Sequence, residues 1–71
     1  MTASNKHTVK INDHITSVFL ESEFWEELKQ ISKTKSVSTD QLISQIDQHK
    51  IGSNLSSAIR LYVLNHIRNP Q

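Results

Sequence analysis

The sequence predicts a mainly α-helical fold carrying one β-strand, and three observations carry that expectation. The stretch His14-Ile15-Thr16-Ser17-Val18-Phe19-Leu20 is dense in β-branched and aromatic residues, which is the composition of a strand. After it, apolar residues recur at helical spacing in three segments separated by polar, cap-forming residues. The chain has 71 residues and no Cys, so neither a large core nor a disulfide framework is open to it. A domain this small needs a supplement, and a strand with no good partner in its own chain leaves its backbone groups unsatisfied. Both needs point to a second copy. The expected architecture is an intertwined homodimer in which two symmetry-related strands form an intermolecular, antiparallel two-stranded ribbon.

Taken in order, residues 1–8 are small and polar and read as a flexible N-terminal arm, with the folded domain over residues 9–69. Val9 and Ile11 alternate with polar neighbours, a weak signal for a short additional strand. The main strand falls at about residues 14–20. Ser22 reads as a helix N-cap, and Phe24, Trp25, Leu28 and Ile31 then mark an amphipathic helix over about residues 23–33. Ser38-x-x-Gln41 is a capping-box pattern, with Val37 and Leu42 placed as a hydrophobic staple. A second helix therefore runs over about residues 39–49 and turns Leu42, Ile43 and Ile46 inward, with Gly52, the single glycine, just past its end. Ser53 or Asn54 caps a third helix over about residues 55–67. Its Leu55, Ala58, Ile59, Leu61, Tyr62, Val63, Leu64 and Ile67 form an apolar face too wide for the outer helix of a monomer, so a second subunit is expected to cover much of it. The dimer core expected from this pattern is Val18, Leu20, Trp25, Leu28, Leu42, Ile46, Ile59, Tyr62 and Val63.

Lys+Arg number 8 against 7 Asp+Glu, for a formal net charge of +1, so charge matters here by its distribution. Lys6, His7, Lys10 and His14 precede or open the strand with only Asp13 opposing them. Glu21, Glu23, Glu26 and Glu27 gather at the start of the first helix, where carboxylates suit the helix dipole. The N-terminus lacks the apolar region of a signal peptide and no run is long enough to span a membrane, so a cytoplasmic protein without a membrane partner is expected. His7, His14, His49 and His66 lack metal-ligand spacing, and there is no Gly-rich phosphate loop or nucleophile elbow. No enzymatic activity, metal or cofactor is expected.

Strand, amphipathic helix, short loop and capped second helix, in this order, resemble the ribbon-helix-helix superfamily of Arc- and MetJ-type repressors. The run from Lys6 to Trp25, KHTVKINDHITSVFLESEFW, is similar to the pattern RSVTLxGHRTSVxLEPEFW of a family of short bacterial ribbon-helix-helix proteins. The run from Asn54 to Arg68, NLSSAIRLYVLNHIR, is similar to that family's closing NLSSALRxxVLxHLR. The resemblance implies a transcriptional regulator, a repressor and autoregulator, whose dimeric ribbon enters the major groove of double-stranded DNA.

Strand parity turns Val18 and Leu20 to the core and leaves Ile15, Ser17 and Phe19 as the candidate base-contacting residues. In the family pattern the position of Ile15 is commonly Arg and that of Phe19 often polar or basic, while Ser17 is retained. Ile and Phe can touch only a thymine methyl or pack on another protein. The alternative reading is therefore a protein-interaction dimer, antitoxin-like or adaptor, whose apolar ribbon face docks a protein partner. Lys6, Lys10 and His14 are candidate phosphate contacts, with a packed, structural role as the alternative for His14. The resemblance also implies a phosphate clamp at the start of the second helix, at Ser38 and Thr39, with a plain helix cap as the alternative. The start of the third helix, from Ser53 to Ser57 with Arg60 beyond it, is a second candidate anion site. Arg60 and Arg68 suit either carboxylates across the dimer or phosphate. Trp25 reads as structural.

Overall fold

The computed structural model describes residues 4–50, 52 and 54–69. A β-hairpin of β1 (Ser4–Ile11) and β2 (His14–Glu21) is followed by three helices, α1 (Ser22–Thr34), α2 (Thr39–His49) and α3 (Leu55–Arg68).

The hairpin corrects the expectation of one strand paired only with its symmetry mate. β1 pairs antiparallel with β2 of the same chain, in a continuous register from Ile11↔His14 to Ser4↔Glu21, so the two-stranded sheet is intramolecular. Its turn is Asn12-Asp13, with φ of 49° and 68°. Two positive-φ residues make the turn whose twist matches that of the strands it joins. Asn and Asp tolerate this left-handed region because their short polar side chains bond locally. Residues 4–8, expected to belong to a flexible arm, are strand for the same reason, while Met1–Ala3, the rest of that arm, lie outside the described residues. β1 alternates: Val9 and Ile11 are buried, and Lys6, Thr8 and Lys10 are exposed.

Ser22, expected as an N-cap, is instead the first helical residue, and extended Glu21 holds the cap position. The strand runs on one residue further than its apolar pattern, and the Ser22 hydroxyl accepts a hydrogen bond from Asn5 Nδ2 at 2.6 Å, tying the start of α1 to β1. At α2 both capping-box bonds form: Gln41 N–H donates to Ser38 Oγ at 3.0 Å, and Ser38 N–H to Gln41 Oε1 at 2.9 Å. Val37 and Leu42, the staple pair, both join the hydrophobic cluster. Asn54 caps α3, its side chain accepting from the Ser57 amide. Ile51 and Ser53 lie outside the described residues.

α2 packs on β1, α1 and α3 pack on β2, and the helices pack on one another. One face of the sheet is thus covered and the other is bare. Val9, Ile11, Val18 and Leu20 from the sheet meet Leu28, Ile31, Leu42, Ile43, Ile46, Ile59 and Val63 from the helices in one core. Of the residues expected to form a dimer core, Val18, Leu20, Leu28, Leu42, Ile46, Ile59 and Val63 are buried within a single chain, and Trp25 and Tyr62 pack partly buried against them. Their burial needs no second copy, because β1 supplies the second strand of the apolar face. Among the described residues, the large apolar side chains that a single chain leaves uncovered are Leu61, Leu64 and Ile67 on α3, together with Ile15 and Phe19 on β2.

Candidate nucleic-acid interface

Opposed residues of an antiparallel pair share a face, and the register sets Lys6 opposite Phe19, Thr8 opposite Ser17 and Lys10 opposite Ile15. All six are exposed, Ile15 at 75% and Phe19 at 55%. The three candidate readers therefore form one row on the bare face of β2, with both candidate lysines in the adjacent row on β1. Among the described residues neither lysine has an ion-pair partner. Thr8 was not singled out by its sequence context; the alternation Lys6-x-Thr8-x-Lys10 is the signal that places it there.

The same register sorts the backbone. In a two-residue hairpin the pair that closes the turn exchanges both hydrogen bonds, and bonded and non-bonded pairs then alternate. Ile11↔His14, Val9↔Thr16, His7↔Val18 and Asn5↔Leu20 are the bonded pairs. The amides and carbonyls of Ile15, Ser17 and Phe19 point instead to the outer edge of β2, and those of Lys6, Thr8 and Lys10 to the outer edge of β1.

The remaining phosphate-contact candidates stand apart from this face. His14 is exposed, so it is not packed, but its parity is that of the covered face and it lies beside the turn, opposite Ile11. Ser38 and Thr39 belong to the junction of α1 and α2. Ser38 spends its amide and hydroxyl on the capping box, and Thr39 Oγ1 lies 3.3 Å from Ser32 Oγ. These bonds are those of a cap, leaving the Thr39 and Asp40 amides as the unbonded donors of the first turn.

The ribbon-helix-helix domain model matches residues 4–67, almost the whole described chain and both strands of the hairpin. The chain belongs to the ribbon-helix-helix domain family. Domains of this family are in general DNA-binding regulators without catalytic activity, and they typically dimerise. No curated protein and no solved structure gives a significant match.

Within this ribbon-helix-helix domain, Arg60 grips a carboxylate of its own chain: Nε donates to Glu21 Oε1 at 2.8 Å and Nη2 to Oε2 at 3.2 Å. That two-pronged pairing joins α3 to the end of β2. Trp25 is stacked on His7, with ring centroids 3.9 Å apart and planes 8° from parallel. His7 therefore leaves the basic group in which its sequence position placed it, and its buried Nε2 has no hydrogen-bond partner among the described residues. Among the described residues no group of three His, Cys, Asp or Glu side chains is arranged to hold a metal ion, and no helix is long and apolar enough to cross a membrane.

Proposed function

We propose that this chain is a DNA-binding transcriptional regulator, a repressor that also acts on its own promoter, and that it works as a homodimer laying the bare face of its sheet into the major groove. The observation that carries the proposal is the exposed row Ile15, Ser17 and Phe19 flanked by Lys6 and Lys10, on the one sheet face that the helices leave uncovered.

The open edge of β2 supports the dimer. Opposed residues in an antiparallel pair must share orientation, so a two-fold axis passes through a residue of β2. With the axis at Ser17, Ile15 lies opposite Phe19 of the partner subunit, an apolar pair, and Ser17 opposes its own mate. Moving the axis to Val18 sets Ile15 against Glu21, a carboxylate already held by Arg60. The Ser17 register yields a four-stranded sheet. At a strand spacing of about 4.8 Å its outer strands lie about 14 Å apart, close to the major-groove width of about 12 Å. Lys6 and Lys10 of both copies then reach the phosphates at the groove walls, which positions the protein. The central Ser17 pair meets base edges, while Ile15 and Phe19 suit thymine methyls.

A salt titration of the purified protein on its own upstream DNA and on random duplex tests this. Tighter binding to the upstream fragment is expected, with affinity falling steeply as salt rises: four neutralised phosphates correspond to a log–log slope of about −3.6. No binding to either duplex at low salt overturns the proposal. The large exposure of Ile15 and Phe19 favours a second reading, in which the same face docks a protein. In that case Phe19→Ala abolishes function and binding is insensitive to salt, whereas Lys6→Ala with Lys10→Ala does so if DNA is the partner.

A further inference from the structure

In the DNA complex proposed above, the side chains set to meet base edges are the β2 row, Ile15, Ser17 and Phe19. None of the three can make the two-pronged hydrogen bonds by which Arg and Lys select guanine, and Asn and Gln select adenine. The Ser17 hydroxyl both donates and accepts, so it discriminates little between one base edge and another. Lys6 and Lys10 stand one strand further out, at the groove walls, where phosphate contacts position a protein without reading sequence. The discriminating surface that remains is apolar. Ile15 is the most exposed of the large apolar side chains described, and Phe19 is more than half exposed. On the floor of the major groove the apolar feature available to such side chains is the methyl group on C5 of thymine.

We infer that Ile15 and Phe19 select duplex DNA by the 5-methyl groups of its pyrimidines, so that the protein reads thymine by its methyl, accepts 5-methylcytosine in its place and disfavours unmethylated cytosine. The inference rests on the DNA-binding reading above and names the chemistry of its target. 5-Methylcytosine carries the same methyl on the same ring carbon, and a side chain that makes no hydrogen bond to the base is blind to the exocyclic group that separates the two pyrimidines. The spacing of the readers shapes the site. Ile15 and Phe19 are four residues apart on one face of β2, about 14 Å at the rise of a strand, with Ser17 midway. Nucleotides follow one another at about 3.4 Å along each DNA strand, so the two side chains reach methyl groups about four base pairs apart. With the two-fold axis at Ser17, each of these spots holds Ile15 of one copy and Phe19 of the other, and the target is symmetric about its central base pairs.

Removing only the methyls tests this. The upstream fragment is made once with thymidine and once with deoxyuridine throughout, and the full chain is titrated with both. One buried methyl is worth about 0.8 kcal/mol, about fourfold in affinity, so the loss of a methyl at each of two spots weakens binding at least tenfold. Equal affinity for the two fragments overturns the inference. In Ile15→Ala combined with Phe19→Ala the two fragments bind within twofold of each other. Because the comparison is made within one variant, any effect of the substitutions on folding or assembly cancels. A wild-type preference retained in the double variant overturns the inference, since the methyl is then read elsewhere. If the double variant binds neither fragment, the single changes are compared: each narrows the preference, and a preference unchanged in both overturns the inference. At every position where uracil alone costs affinity, 5-methylcytosine paired with guanine binds about fourfold tighter than cytosine paired with guanine; no difference overturns the inference. Failure of the wild-type chain to bind either fragment at low salt defeats the DNA-binding reading itself, whereas binding that ignores the methyl defeats only its mode of recognition.

Discussion

Along the outer edge of β1 stand Lys6, Thr8 and Lys10; along the outer edge of β2 stand Ile15, Ser17 and Phe19. Both rows have the same geometry, with side chains on the bare face and backbone groups pointing away from the hairpin. Their chemistry is opposite. Lysines on an edge strand resist the approach of another strand, because pairing would bury or crowd their charges. The β2 edge has no such guard, and its Ile and Phe gain by being covered. In the proposed dimer this asymmetry both selects β2 as the joining edge and stops growth at four strands, since each new outer edge carries lysines. The residues that discourage further pairing are also the ones placed to meet phosphate.

The sharpest way to break this comparison is to put proline on each side of it. Val18→Pro strikes the bonded pair with His7 and a side chain only 2% exposed. It removes a sheet hydrogen bond and forfeits about 1.5–3 kcal/mol of burial, a large part of the stability of so small a domain. Loss of the cooperative thermal transition is expected by circular dichroism. Ser17→Pro, one residue earlier, leaves the transition in place and affects only assembly. A well-folded Val18→Pro chain would show that the hairpin is not the scaffold.

Alanine at neighbouring positions separates the two faces next. Leu20 is fully buried and Phe19 is 55% exposed, so in urea unfolding Leu20→Ala loses about 2–5 kcal/mol. Phe19→Ala stays within about 0.5 kcal/mol at concentrations where the chain is monomeric. Lys6→Ala with Lys10→Ala leaves stability almost unchanged but flattens the salt dependence of DNA binding by about 3.6 in log–log slope, the share of four lysines per dimer. The smallest effect belongs to the tie between strand and helix. Arg60→Ala removes a pair whose side chains are each 31% exposed, and a loss of about 1 kcal/mol or less is expected in the same unfolding assay. A loss several times larger would mean that the Arg60–Glu21 pair anchors α3 on its own.

β2 was legible because seven consecutive residues favour a strand, and α2 because Ser38 and Gln41 sit at capping-box spacing before an apolar run. β1 was not legible, for two identifiable reasons. Its turn is Asn-Asp with no glycine, so its positive-φ character is muted in the sequence, and its outward positions are two lysines and a threonine, leaving Val9 and Ile11 as the only strong strand signals. Without β1, the apolar face of β2 pointed to a second copy for its cover, since one strand cannot build the face that β1 and β2 provide together. The outward row Ile15, Ser17 and Phe19 followed from period-two parity alone. Its lysine neighbours required the register, which the turn length sets. Ser22 misled because a residue suited to capping lay one position inside the helix, where Asn5 takes its hydroxyl.

The sequence by itself determined which face each residue of β2 presents, where α2 begins and that three helices follow, because periodicity and caps act within a few residues. Tertiary structure decided the rest: that β1 and β2 pair within one chain, that His7 turns inward onto Trp25, and that Arg60 finds Glu21 across 39 residues of chain. Local patterning encodes the face a side chain presents, whereas the neighbour it meets depends on loop closure and on competition among all the apolar faces for the same core, and these act only once the whole chain is packed.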